Sequence, residues 1–440
     1  MKVNRRAALA GGVAAAVIGT GVAGAQTPVR IRKGAGGLTA TSDDVVALSE
    51  AARIMKRRND GLSWARQTQI HHRDSQHNNG LFLPWHRQQL VHMERIVARL
   101  TGHESFAMPY WDWQEHRFLP EWVCDPDSPL YERERARGVE TLDFAAARWA
   151  ESSYTARLAS DGFETFCGKL PEGAGMVEGY GHNHIHQLIG GAMRHPRTSA
   201  RDAMFWLHHA NVDRVWATWH RNRGRNLYPA EWTARTVTGF VDVEGRPVGE
   251  LPVGGRLETR PLGYDYDRLY PFPVFSVPEE GPPGATRRVP TGAQSWTVRA
   301  GAAGAGRVSL TLPEEAVARM READDTLMIA GEGSVAYARE AALEDRSLEI
   351  RLTAGGRERS LGSSPTFVHI PEAGDGHDGH RGPYVLPFRF GEEVLNLLAS
   401  GDGPAAVTVF AEDLAPEPAR PEARAEWIEL TLKLTETRWA

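Results

Sequence analysis

Histidine placement constrains this chain more than any other feature. All but three of its 17 histidines lie between His71 and His220, and they fall into clusters within that span. A buried imidazole needs a partner at each ring nitrogen, and clustered imidazoles are natural metal ligands. The later cluster reads Gly181-His182-Asn183-His184-Ile185-His186, then Gly190-Gly191, then Asp202 through His208-His209 to Asp213-Arg214. His182 and His186 are spaced i, i+4, so on a helix both rings point the same way. One more histidine from the following helix would complete a three-nitrogen site. His184 falls on the other side of its turn and reads as a surface or supporting histidine. The earlier cluster, His71-His72 to His77 and then Phe82-Leu83-Pro84-Trp85-His86-Arg87, offers a second set of three.

The surrounding pattern predicts helices. Thr41-Ser42-Asp43-Asp44 is a start signal, with Val46, Leu48, Ala52 and Met55 near one face. A second helix takes Pro84 in its first turn and runs to Leu100. A third, short one carries His182 to Ile189 and stops at Gly190-Gly191; a fourth runs from near Asp202 to about Trp219. The expectation is a mainly α domain with a four-helix bundle core, long loops and an internal metal site, spanning residues 26–270. Most of the 13 tryptophans precede residue 233, which suits an aromatic-walled core in this half. Residues 271–290 are proline-rich and read as a linker. Beyond them, alternation at Trp296, Val308–Leu312, Leu348–Leu352, Ala406–Phe410 and Trp427–Leu434 predicts an all-β C-terminal domain, a sandwich or barrel, over 291–440.

With 440 residues, 41% hydrophobic, 24% charged and a net charge of −5, the chain is neither disordered nor basic enough for a nucleic-acid binder. At the start, Arg5-Arg6 precedes a mildly apolar run from Ala7 to Ala23, and Ala23-Gly24-Ala25 offers a cleavage site. This reads as a twin-arginine-type signal over residues 1–25, and so an exported protein with no membrane segment after cleavage. The two cysteines, Cys124 and Cys167, are too few for a thiolate zinc site, and their spacing leaves a disulfide open. Neutral imidazoles suit copper in both oxidation states. No carboxylate sits at ligand spacing in either cluster, which argues against iron centres. Zinc held by one set of three, in a hydrolase, remains a competing reading on spacing alone.

Taken together, Phe82-Leu83-Pro84-Trp85-His86-Arg87, Pro109-Tyr110-Trp111-Asp112-Trp113, Gly181-His182-Asn183…His186…Gly190-Gly191 and Phe205-Trp206-Leu207-His208-His209…Asn211-Val212-Asp213-Arg214 resemble the signatures of the tyrosinase, catechol oxidase and haemocyanin superfamily. The layout is most similar to plant polyphenol oxidases, including the segment around Gly263-Tyr264-Asp265-Tyr266 and, more patchily, Thr366–Pro371 and Gly391–Leu398. The resemblance implies two copper ions, one held by His71, His77 and His86 and the other by His182, His186 and His209. His71 is chosen over His72, and His208 becomes a supporting residue. A thioether found at the middle ligand in many members has no counterpart, because Ser75 occupies that place.

Glu178 and Asn183 match positions that hold a water suited to act as a base on the phenol. Asp213 would orient a ligand imidazole or pair with an arginine such as Arg87, and Asp112 has similar standing. The implied activity is oxidation of catechols to o-quinones with O₂, with hydroxylation of monophenols left open. An O₂ carrier and an o-aminophenol oxidase are the alternatives. The C-terminal domain would shield the copper site.

Overall fold

The computed structural model describes residues 29–145, 162–222, 228–270, 288–301, 307–322, 327–339, 346–365, 384–390, 392–401, 403–413 and 425–439. The expected signal, most of the expected linker and the Thr366–Pro371 match lie outside them.

Helix α1, Asp43–Met55, starts after Ser42 and buries Val45, Leu48, Ala52 and Met55. The expected inward residue Val46 is instead 48% exposed. The stripe is one residue out of phase there, because 45, 48, 52 and 55 fit the 3.6-residue period. Helix α2, Trp64–Asp74, was not foreseen. Its sequence is polar, but Trp64, Gln67, Ile70 and His71 are buried, and the Ser63 hydroxyl accepts the Arg66 N–H at 3.0 Å to start it. Helix α3, Phe82–Thr101, holds Pro84 in its first turn and ends at left-handed Gly102 (φ 74°). A π-helical segment, Val177–His182, runs straight into helix α4, Asn183–Ile189, which stops at Gly190. Helix α5, Ala203–Asn222, begins where Asp202 Oδ1 accepts the Met204 N–H at 2.9 Å while Arg135 grips the same carboxylate at 2.8 and 2.6 Å. The core between these helices is aromatic, with Trp85, Trp111, Trp206, Trp216 and Trp219 fully buried.

A short parallel pair ties the ends of this half together: β1, Arg30–Arg32, lies against β2, Tyr264–Tyr266. Behind it sits a buried polar clasp. Asp213 of α5 accepts Arg32 Nη1 at 2.9 Å, Arg87 Nε of α3 at 2.5 Å, and the Tyr264 and Tyr266 hydroxyls at 2.6 Å each. Arg32 also donates to Glu94 of α3 at 2.7 Å. The two guanidiniums lie over aromatic faces, Arg32 at 3.8 Å from the Tyr264 centroid and Arg87 at 3.7 Å from Trp216. Burial alone would raise the Asp213 pKa; Arg87 and Arg32 outweigh it, so the carboxyl sits below its usual range. Of the roles expected for Asp213, the arginine pairing is present, extended by Arg32. Asp112 likewise pairs with Arg214 at 2.9 Å.

The C-terminal half has its own apolar core. Strands β3 (Arg288–Gly301), β4 (Arg307–Thr311), β5 (Leu327–Arg339), β6 (Arg346–Ala354), β7 (Arg357–Pro365), β8 (Tyr384–Phe390), β9 (Ala405–Asp413) and β10 (Ala425–Trp439) form two four-stranded antiparallel sheets, ordered β8-β5-β10-β3 and β4-β9-β6-β7. Alternate residues Ile428, Leu430, Leu432 and Leu434 of β10 face inward with Leu348, Ile350 and Leu352 of β6. Both sheets keep edge strands, so among the described residues no barrel closes. The domain is not purely β: helices α6 (Glu314–Arg321) and α7 (Glu392–Ser400) add Ala316, Met320, Leu397 and Leu398 to the core. Strand β3 starts at Arg288, inside the stretch expected as linker. Edge strand β7 lies against the π segment and α4 of the first half. Cys124 and Cys167 are both free thiols, which closes the disulfide option in this structure.

Removing the clasp carboxylate leaves two buried guanidiniums facing each other. Asp213→Ala is expected to lower stability by about 3–5 kcal/mol. Denaturant unfolding of the metal-free chain checks this; a loss below about 1 kcal/mol would mean the clasp is not structural.

Candidate metal centre

Each histidine of the site arrives on a different local device. His71 is in the last turn of α2, His77 in the loop that follows, and His86 near the start of α3. Their side chains form one buried group, with ligand atoms all within 4.8 Å of one another. His72, the neighbour weighed against His71, is half-buried and outside the group. On the opposite side, His182 ends the π segment and His186 sits one turn into α4, with ring centroids 4.3 Å apart. The π turn widens the helix at this place, a distortion that recurs at functional sites.

Helix α5 brings two adjacent imidazoles to the second group. His208 offers a nitrogen within 4.8 Å of those of His182 and His186. His209 comes closer nitrogen to nitrogen: its Nε2 is 3.2 Å from His182 Nε2 and 3.4 Å from His186 Nε2. It also stacks on His86, with centroids 4.2 Å apart and planes at 14°, so it faces the first group as well. By ring centroids the two are comparable: His208 is 5.4 and 5.3 Å from His182 and His186, and His209 is 4.8 and 5.6 Å from them. His184 is buried rather than at the surface, its Nδ1 being 2.6 Å from the Tyr180 carbonyl, and it joins neither group.

Most rings are oriented by their Nδ1 atoms. His71 Nδ1 meets the Pro196 carbonyl at 2.6 Å, His86 Nδ1 the Phe82 carbonyl at 2.8 Å, and His186 Nδ1 the Met193 carbonyl at 2.6 Å. His182 Nδ1 meets Asn183 Oδ1 at 2.9 Å, and His77 Nδ1 the Ser75 hydroxyl at 3.1 Å. A carbonyl accepts only from a protonated Nδ1, which leaves Nε2 as the lone-pair atom. His71 Nε2 and His86 Nε2 have no hydrogen-bond partner among the described residues. Buried nitrogens with a bare lone pair and a locked ring fit a metal ion. His209 is held differently, packed between Phe205 at 4.3 Å and His86. Phe82 and Phe205 wedge between the two groups, touching His182 and His86 at 4.7 Å and His71 at 4.6 Å. The carbonyls of residues 193 and 196 and these two phenyls are parts of the site that the sequence did not disclose. The peptide carbonyls carry no side-chain signal, while Phe82 and Phe205 stood inside the quoted motifs unassigned.

Electrostatics favour the ligand form. Burial lowers the pKa of His86 and His186 to about 3, and desolvation followed by neighbouring imidazoles takes His71, His182 and His209 well down. All are neutral near pH 7. Glu178 on the π segment is buried, and desolvation raises its pKa to about 8 despite the Asn78 N–H donated to Oε1 at 2.6 Å. It is thus tied to the residue after His77 while riding four residues before His182. Asn183, expected with Glu178 to hold a water, places its side-chain oxygen 2.9 Å from His182 Nδ1.

Two adjacent clusters of buried imidazoles, reached without thiolate or carboxylate in either, define a helical protein positioned for a dinuclear copper site of the type-3 kind. The family model of the common central domain of tyrosinase matches residues 57–142 and 125–222 of the chain. It is 28% identical over 232 residues to polyphenol oxidase II of Ipomoea batatas, covering 43% of this chain and 39% of that one. It is 30% identical over 226 residues to the tyrosinase HcTyr1 of a Hahella strain, covering 45% and 48%. In both cases the match spans less than half of the relative's own length. The solved structure of latent aurone synthase, a polyphenol oxidase, superimposes with a TM-score of 0.64 at 19% identity, covering 92% of this chain and 89% of that one; this likeness is one of fold.

The buried neutral imidazoles link protons to unfolding. Their folded pKa values lie below the unfolded value of 6.5, so the unfolded chain binds more protons between the two. Stability of the metal-free chain is expected to be fullest in this respect above pH 6.5 and to fall as the pH drops toward 3. Glu178 acts oppositely: with its pKa raised from 4.5 to about 8, its contribution is present below pH 4.5 and lost as the pH rises to 8. Thermal melts across pH 4–9 check both signs, and Glu178→Gln should gain on the wild type toward the alkaline side. A constant difference would remove the carboxyl from the account.

Proposed function

We propose that this chain is a type-3 copper oxidase that converts catechols to o-quinones with O₂. The observation that carries the reading is the meeting of the two imidazole groups, with His209 Nε2 at 3.2 Å from His182 Nε2 and its ring stacked on His86. In this reading His71, His77 and His86 hold one ion and His182, His186 and His209 the other, with His208 supporting. A bound copper pair supplies the two-electron chemistry with O₂: two catechols and one O₂ give two o-quinones and two waters.

The chain's own residues prepare the site for that reaction. Nδ1 hydrogen bonds fix the imidazole planes, Phe82 and Phe205 keep water from between them, and the neutral rings leave the positive charge to the ions. A phenol has a pKa near 10 and must shed its proton on docking. Glu178, a buried carboxyl four residues before His182, is the group we assign to take it; it must be ionised to do so, a state that burial disfavours in the metal-free chain and that the positive charge of bound ions would restore. Asn183 supports this indirectly by holding His182. Strand β7 lying against the π segment supports a latent enzyme whose C-terminal domain, joined through residues 271–290, shields the site. Arg5-Arg6 and the run to Ala25 support export by the twin-arginine route, leaving Gln26 first. Among the described residues, no helix is long and apolar enough to cross a membrane.

Copper analysis tests the assignment. The wild type should hold two ions per chain, His86→Ala and His209→Ala about one each, and His208→Ala two; loss of an ion with His208→Ala but not His209→Ala reverses their roles. Chelation should abolish catechol oxidation, and assays with a monophenol and an o-aminophenol fix the substrate range. Cutting within 271–287 should raise the catechol rate several-fold; an unchanged rate ends the shielding idea.

A further inference from the structure

Away from the imidazoles, a cleft of about 950 Å³ opens where β1, α3 and the turn before β2 meet. Its charged lining is lopsided. Arg30, Arg95, Arg99 and Arg260 face it, against the single carboxylate of Glu104. A smaller recess of about 300 Å³ shares Arg95 and adds Arg256 and Asp242. Two of these carboxylate-arginine balances are already taken: Arg260 is paired with Asp265 at 2.8 Å, and Asp242 with Arg246 at 2.8 Å. Arg30 reaches Glu94 only at 3.6 Å, and that carboxylate is held more closely by Arg32.

Arg95 and Arg99 form no ion pair among the described residues. They are four apart on α3 and therefore project from one face, as two guanidiniums that a single oxyanion could bridge. Arg95 has its pKa lowered by desolvation first and then by Arg30, with Glu94 opposing and Arg256 adding to the fall, so the neighbouring cations outweigh the one carboxylate that acts on it. The rest of the wall is apolar, from Val29, Ala98, Val243 and Leu262. Four separate stretches of the chain, at 29–30, 95–105, 243 and 260–263, build the cleft, so its charge is a product of the fold.

We propose that this cleft is a binding site for a small organic anion, with its oxyanion head between Arg95 and Arg99 and its apolar body against Val243 and Leu262. The site is separate from the copper centre and independent of the oxidase reading. Binding can therefore be measured on the full chain freed of copper.

The probes are inorganic phosphate and phenyl phosphate, titrated calorimetrically at 150 mM salt. Phenyl phosphate should bind at least several-fold more tightly than inorganic phosphate, because it alone covers the apolar wall. The double variant R95S/R99S, altered at two exposed side chains, should weaken phenyl phosphate at least tenfold. His86→Ala should leave it unchanged. Equal affinity for the two probes, binding that survives R95S/R99S, or no binding at this salt concentration would each overturn the proposal.

Discussion

A carboxylate that accepts four hydrogen bonds from groups on three parts of the chain organises this protein. Asp213 lies one turn after His209 on α5, and its partner Arg87 directly follows His86 on α3. The helices that bring His86 and His209 face to face are thus joined, right behind those rings, by a charge-assisted bond. Arg32 and Tyr266 extend the joint to β1 and β2. An ion pair so fully desolvated adds little net stability over an apolar substitute. What it does fix is geometry, since its bonds are satisfied in only one relative placement of α3 and α5.

That placement permits an arrangement which is unfavourable taken alone. Seven imidazoles, His71, His77, His86, His182, His186, His208 and His209, are buried in contact with one another. The Nε2 atoms of His71 and His86 are buried with no hydrogen-bond partner among the described residues. The surrounding tryptophan core offsets that cost, and the polar clasp holds the helices in the one placement that keeps the rings together. Metal binding would then release it, which couples occupancy to the stability of the whole helical half.

Much of this was legible in the sequence, and the omissions have physical reasons. The i, i+4 spacing of His182 and His186 and the Pro84 start of α3 are local signals, and they translated directly. The inward phase of α1 slipped by one residue because Val45 and Val46 are adjacent and equally apolar. Helix α2 escaped notice because its buried face is made of glutamine, histidine and two apolar residues, so its period is hidden from a hydrophobic pattern. The π turn has no compositional mark. In the C-terminal domain the strands rich in valine and leucine were found. Strands β5, β7 and β8 were missed: the first carries Gly331, Gly333 and Ser334, the second is almost wholly polar, and the third is interrupted by Pro387. Which of His208 and His209 points inward depends on the roll of α5 about its axis, a tertiary property that spacing does not contain.

The loop between α4 and α5 has a further implication. One short stretch of backbone supplies the Met193 carbonyl to His186 and, three residues on, the Pro196 carbonyl to His71. These rings belong to opposite halves of the centre. Any shift of that stretch rotates both imidazoles together, so the two halves share a single mechanical adjustment. A redesign aimed at one metal position would inevitably retune its neighbour.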